Sequence, residues 1–262
     1  MKIWKNMQKI NKNVLVTGAG KGIGEETVFS LLENGAYVYA LIKSKKDNKK
    51  FKDYKNVKIY NGNVNNGNLI KKILKDSRKD KRFINGLVNN AGIRFRKNFL
   101  KITPHDLKNI FETNFLSIFN TMQIFSRFLI ANKKMGSIVN ISSIVGKIGF
   151  SKLSAYASTK GALTALTKSF ATEMADKNIR ANSISPGFIK TSFYKKFKNN
   201  KKRIYKWTLS RIPLKRWGKP SEVSNLICFL LSEDSSYING ENINVDGGWL
   251  SSWKIKQVVK KF

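Results

Sequence analysis

Seven residues constrain this chain more than any others: Gly18-Ala19-Gly20-Lys21-Gly22-Ile23-Gly24. An apolar run, Asn13–Thr17, leads directly into them, and a helical pattern over Glu25–Asn34, stopped by Gly35, leads out. Glycines permit a sharp turn and let the backbone approach a pyrophosphate closely. The helix start then offers free N–H groups and the positive end of its dipole. A glycine turn alone is a weak signal. Its place between a first strand and a first helix makes all seven residues candidates for holding a dinucleotide.

The rest of the chain repeats this alternation. Short apolar runs at Ala36–Ile42, Val57–Tyr60, Gly86–Asn89, Ser137–Ser142, Asn182–Ser185 and Asn242–Val245 read as buried strands. Long helical patterns, notably Pro104–Asn132 and Ser154–Lys177, lie between them. Thr103-Pro104-His105-Asp106 has the form of a helix start, with Thr as cap, Pro in the first turn and an acid near the positive dipole end. Strands alternating with helices imply an α/β fold: one Rossmann-type, doubly wound parallel sheet with helices on both faces. No linker or repeat divides the 262 residues, so residues 1–262 read as a single domain with a core over about 12–250.

Composition removes several function classes. One cysteine (Cys228) and one histidine (His105) leave no disulfide framework and almost nothing for a zinc site, so no metal is expected. Cys228 sits in an apolar helix face and His105 in a helix start, and both read as structural. No stretch approaches the 18 or so apolar residues of a membrane span, and the N-terminal lead has no apolar signal region. These features point to a cytoplasmic protein, and a plastid-type organelle fits them equally. Fifty Lys and Arg against sixteen Asp and Glu give a formal charge of +34. Such a balance suits nucleic acid, an anionic membrane or an acidic protein. Yet the lysines are spread along the chain, and Lys and Asn share A/T-rich codons. Drift onto solvated faces explains the excess more simply, and no nucleic-acid partner is expected.

An acid about 20 residues beyond the glycine turn usually holds the ribose 2′-OH of NAD. Here the second strand ends Ala40-Leu41-Ile42, and Lys43 follows at once. A lysine attracts a 2′-phosphate that an acid would repel, and Lys21 adds charge nearby, so NADP(H) is favoured over NAD(H).

Tyr156-Ala157-Ser158-Thr159-Lys160 carries the chemistry. On a helix, residues four apart share a face. A cation beside a tyrosine stabilises the phenolate and suits it to proton transfer with a carbonyl oxygen. The spacing is common on its own, and its neighbours give it weight. Asn140-Ile141-Ser142-Ser143 ends a strand in hydroxyls, Asn89-Asn90-Ala91-Gly92 follows another, Asn114 lies in a helix, and Pro186-Gly187 follows a third strand.

In this order the motifs resemble the short-chain dehydrogenase/reductase superfamily over about residues 12–250. The resemblance implies Tyr156 as general acid in reduction, with Lys160 holding the nicotinamide ribose and lowering the tyrosine pKa. It implies Ser143, rather than Ser142, on the substrate carbonyl, and Asn114 positioning a water in a relay through Lys160. It implies Asn63 and Val64 beside the adenine, Asn90, Ala91 and Gly92 along the cofactor, and Pro186, Gly187, Ile189 and Thr191 near the nicotinamide. Within the superfamily the chain looks most like β-ketoacyl-[acyl-carrier-protein] reductases, on Pro186–Thr191, Ile212-Pro213-Leu214 and Tyr237–Glu241. That implies an acidic carrier protein as partner, received by Lys134 and Lys177 beside the mouth of the site, and a homotetramer built through the two long helices. The basic segment 194–206 falls where the family keeps a substrate lid. Val245-Asp246-Gly247-Gly248-Trp249 has instead the form of sugar, polyol and steroid dehydrogenases, which stay open as substrates. Phe150 and Trp207 fit an acyl pocket or ordinary core. A non-catalytic nucleic-acid binder is the remaining alternative.

Overall fold

A computed structural model describes residues 10, 12–192, 194 and 202–251. The N-terminal lead, most of the basic stretch after Tyr194 and most of the C-terminal tail lie outside the described residues.

Seven parallel strands form one sheet in the order β3-β2-β1-β4-β5-β6-β7. They are β1 (Asn13–Thr17), β2 (Tyr37–Ile42), β3 (Val57–Asn61), β4 (Gly86–Asn89), β5 (Gly136–Ile141), β6 (Ile179–Pro186) and β7 (Asn242–Val245). The order reverses between β1 and β4, which opens a crevice at the carboxyl ends of the strands. The helices are α1 (Gly22–Glu33), α2 (Gly67–Lys79), α3 (Pro104–Phe111), α4 (Ser117–Ala131), α5 (Ser154–Glu173), α6 (Lys202–Arg211) and α7 (Pro220–Leu231).

Side-chain alternation sends each strand's residues to two separate cores. Val14 and Val16 of β1 pack with Val28 and Leu31 of α1 and Val223 and Ile227 of α7. Leu15, between them, packs on the other face with Ile70 and Ile73 of α2, Phe125 of α4 and Leu163 of α5. Both faces are therefore covered, which is why the strands read as continuous apolar runs. Cys228 is buried in the first core, where its thiol is pushed up to about 12 by burial and is chemically quiet.

The boundaries shift where local signals were weak. Helix α1 begins at Gly22 rather than Glu25, so the last glycines are already helical. Strand β6 starts at Ile179, three residues before the expected Asn182. The pattern Pro104–Asn132 is not one uniform helix: a π turn over Glu112–Leu116 separates α3 from α4. The expected Ser154–Lys177 helix ends at Glu173, a 3₁₀ turn covers Ala175–Lys177, and Asn178 is left-handed at φ 54°. The cap at Thr103 forms, with Thr103 and Asp106 bonding each other's backbone N–H groups.

Candidate active site

The glycine turn sits at the carboxyl end of β1, in the crevice where the strand order reverses. Gly18 is left-handed at φ 65°, and a Cβ there would lie 2.8 Å from the Ala91 backbone. Asn90 locks this contact: its Nδ2 donates to the carbonyls of Thr17 and Gly18, and Thr17 Oγ1 accepts from the Asn90 and Ala91 N–H groups. Gly24 packs so tightly on the Gly18 carbonyl and Asn90 that no side chain fits. Lys21, at the helix N-cap, supplies no side-chain cap, so the first turn of α1 keeps N–H donors for an anion. A turn with these close approaches and donors fits a dinucleotide diphosphate.

The ribose end differs from expectation in one respect. Ile42 does end β2 without an acid, and Lys43 is exposed beyond it. However, the 3₁₀ turn Lys45–Lys50 brings Asp47 back against the loop, where a Cβ on Gly20 would meet its Oδ2 at 3.1 Å. Lys21 faces this carboxylate at 3.7 Å, so its charge is not free. Lys50 binds the Gly20 carbonyl at 2.7 Å and Glu25 at 2.8 Å, with Asp47 at 3.6 Å. Sequence spacing hid this cluster because the returning turn, not the strand end, delivers the acid. Asn63 lies exposed after β3 with its side chain on the Asn65 N–H, and Val64 is buried in the core.

Ser143, Tyr156 and Lys160 line one cavity of about 870 Å³. Helix α5 carries the tyrosine and lysine on one face, and β5 ends just before the serines. Ser142 turns inward, its Oγ donating to the Lys160 carbonyl at 3.0 Å. Ser143 faces the cavity near Tyr156, its Oγ accepting the Val145 N–H at 3.2 Å. Burial raises the Tyr156 pKa above that of a free tyrosine; the nearby Ser143 hydroxyl and Arg94 charge oppose that rise. Lys160 is buried, and burial lowers its pKa to about 8. Its Nζ donates to the Ile141 carbonyl at 2.7 Å and lies 5.9 Å from the Tyr156 ring centre. In this structure the Lys160 ammonium is turned to the Ile141 carbonyl, and the positive charge acting on the Tyr156 phenol is that of Arg94.

Asn114 is fully buried in the π turn, a device that re-aims side chains at functional sites. Its Oδ1 accepts the Ile93 N–H at 2.8 Å, and its Nδ2 donates to the Ile93 carbonyl at 2.9 Å and to Thr159. The amide thus fixes the turn after β4 and does not reach Lys160 directly. Gly92 lies between the two, 3.3 Å from Asn114 Oδ1 and 3.8 Å from Lys160 Nζ when a Cβ is placed on it.

Pro186, which ends β6, and Gly187, Ile189 and Thr191 after it line the cavity with Ile23, Asn90 and Gly92, and Thr191 packs against Gly22 of the glycine turn. The outer wall is aromatic: Phe188 contacts Trp217 and Trp249 at 5.1 Å each, and Phe150 and Trp207 also pack on Trp249. Phe150 and Trp207 therefore belong to the pocket. Three cavity residues, Arg94, Arg96 and Arg211, carried no sequence signal amid the general basic excess.

Lys134 and Lys177 are not beside this mouth. They precede β5 and β6, at the amino edge of the sheet, while Ser143 follows the carboxyl end of β5. A strand of this length separates them by about 20 Å. Both are exposed, and Lys177 is paired with Asp176 at 2.7 Å. His105 lies on the surface of α3, bonded to Asn109. Among the described residues no cluster of His, Cys, Asp or Glu suits a metal, and no helix is long and apolar enough to cross a membrane.

A family profile described as enoyl-(acyl carrier protein) reductase matches residues 18–250. The chain belongs to the short-chain dehydrogenase/reductase family. It is 36 % identical over 247 residues to a 3-oxoacyl-[acyl-carrier-protein] reductase of Thermotoga maritima, covering 92 % of this chain and 99 % of that one. It is 37 % identical over 255 residues to a tropinone reductase homolog of Arabidopsis thaliana, covering 94 % of each. Among solved structures, a 2-deoxy-D-gluconate 3-dehydrogenase candidate from Agrobacterium tumefaciens with bound NADP superposes with a TM-score of 0.85 at 30 % identity. That match covers 93 % of this chain and 99 % of the other. Family membership makes this protein an oxidoreductase, and Ser143, Tyr156 and Lys160 line its cavity together.

Proposed function

We propose that this reductase uses NADPH to convert a β-ketoacyl group on acyl carrier protein to the β-hydroxyacyl form. The observation that carries the reading is that Ser143, Tyr156 and Lys160 line one aromatic-walled cavity together with Ile23 of the glycine turn and with Asn90, which packs on that turn. When bound, the nicotinamide supplies hydride to the carbonyl carbon. Ser143 holds the carbonyl oxygen and Tyr156 delivers its proton. Lys160 would hold the nicotinamide ribose of the bound cofactor, and Asn114 holds the Gly92–Ile93 turn beside Lys160. Lys43, with no acid at the end of β2, supports NADPH, as does the NADP held by the structural relative. The similarity to carrier-protein reductases supports the acyl substrate.

Apolar side chains left exposed on and beside the two long helices support a homotetramer: Leu107, Leu116 and Phe119 are each more than 40 % exposed. Because Lys134 and Lys177 lie at the amino edge of the sheet, docking of carrier protein on them would require the mouth to come from a neighbouring copy. Trp249 in the cavity wall favours a second reading, a free sugar, polyol or steroid ketone. One experiment separates them: initial rates of NADPH oxidation with acetoacetyl-carrier protein and with a panel of free ketones and sugars. Fast, NADPH-selective turnover of the carrier-bound substrate supports the first reading. Silence there, with turnover of a small ketone, replaces it by the second.

A further inference from the structure

Three arginines share the cavity with Lys160, and among the described residues no Asp or Glu lines it. Two of them, Arg94 and Arg96, come from the loop after β4. The course of that loop brings them to the cavity. Asn90 grips the glycine cradle, Gly92 passes between Asn114 and Lys160, and Ile93 is clamped by Asn114. Arg94 and Arg96 come next along the loop and line the cavity with Tyr156 and Lys160. Alternate residues of an extended segment share a side, and both arginines line the cavity while Phe95 does not. They are close enough to repel one another, and Arg94 is close enough to Tyr156 to act on its phenol. Asp106, the next acid along the chain, is committed elsewhere, to Lys97 at 2.6 Å and to the Thr103 cap. Arg211 lies over the Trp249 ring at 5.8 Å, so the aromatic wall carries a cation too, and a cavity lined by three guanidiniums attracts an anion.

We infer that the pocket has a further activity: it reduces free ketones that carry their own carboxylate or phosphate within a few bonds of the carbonyl, with Arg94 and Arg96 as the anion-binding, specificity-determining pair. This rests on the reading that Tyr156 protonates a ketone in this pocket but not on the carrier protein, whose phosphopantetheine phosphate lies a full arm's length from the reacting carbon. The chemistry balances as before. The carbonyl carbon gains hydride from NADPH, the oxygen gains the Tyr156 proton, NADP⁺ and a secondary alcohol leave, and solvent restores the proton to Tyr156.

The test uses acetoacetate and levulinate beside their methyl esters, and acetoacetyl-carrier protein, with the full-length enzyme. Its variants are the double changes Arg94→Leu/Arg96→Leu and Arg94→Lys/Arg96→Lys. The expected result is a kcat/KM for each acid at least about tenfold above its ester, carried by KM. The leucine pair should collapse that ratio to about one, and the lysine pair should keep most of it. Equal constants for acid and ester, or a ratio untouched by the leucine pair, would overturn the inference. A second readout needs no turnover: quenching of the cavity tryptophans by propionate and by inorganic phosphate. Saturable quenching that disappears in the leucine pair supports the anion site; if no free keto acid is reduced, the further activity is overturned although the anion site stands. No saturable quenching, with acetoacetyl-carrier protein still reduced, leaves the proposed function standing and removes this inference.

Discussion

Lys160→Met tests the electrostatics of the site most directly. Burial holds the Lys160 ammonium at a pKa of about 8, against 10.5 for the free side chain. One pKa unit corresponds to about 1.4 kcal/mol, so charging this lysine in the folded protein costs about 3 kcal/mol. The sign follows from proton linkage. Below pH 8 the lysine is charged in both states and the folded state carries the full cost. Between pH 8 and 10.5 the unfolded chain binds more protons than the native one, so wild-type stability rises through this window. The methionine variant lacks that term. It also lacks the bond to the Ile141 carbonyl, which costs about 1–3 kcal/mol when a buried acceptor is left unpaired. At neutral pH these two effects nearly cancel, and the variant should lie within about 2 kcal/mol of wild type. Across the alkaline window wild type should then gain about 3 kcal/mol relative to the variant. Urea unfolding of both proteins without cofactor at pH 7.5, 9 and 10.3, followed by tryptophan fluorescence, reads this difference. The other lysines cancel in the comparison. A difference that stays constant with pH would refute the claim that burial, rather than a partner charge, sets the state of Lys160.

The remaining expectations concern the same cleft. Tyr156→Phe should lower kcat by at least about a thousandfold while the NADPH dissociation constant changes less than about threefold; retained turnover would reject Tyr156 as the proton donor. Lys43→Asp should shift the preference for NADPH over NADH by about tenfold or more, read as a ratio of kcat/KM, and an unchanged ratio would place the reading of the 2′-phosphate elsewhere. Gly24→Ala drives a methyl group into the Gly18 carbonyl and Asn90, so cofactor titration should show at least a tenfold loss of affinity; ordinary binding would mean that the turn is looser than its contacts indicate. Lys134→Glu with Lys177→Glu should reduce turnover of carrier-bound acetoacetate more than that of a small thioester, and equal losses would remove both lysines from docking.

Much of this molecule could be read from local sequence, and the reason is the range of the interactions involved. The cradle Gly18–Gly24 is defined by a strand, a turn and a helix contiguous in the chain. Tyr156 and Lys160 share a face because they are four apart on one helix. The continuous apolar runs of β1, β4 and β5 announce a sheet covered on both faces. Four features depended on elements that meet only in the folded chain. Asp47 reaches Gly20 by a returning turn, so the acid-free end of β2 did not reveal it. The π turn at Asn114 leaves the apolar pattern of the flanking helices intact and so has no signature in their periodicity. Lys134 and Lys177 fall at the amino edge of a sheet whose chemistry is at its carboxyl edge, a distinction that needs strand direction. Arg94 and Arg96 are two basic residues among fifty, and only the course of the loop past Asn114 and Lys160 turns them into the cavity. Sequence thus determined the fold, the cradle and the Tyr156–Lys160 pair, whose geometry is set by neighbours along the chain. The electrostatics around the substrate were decided by tertiary structure, because charges act through space and composition does not say which of them face one another.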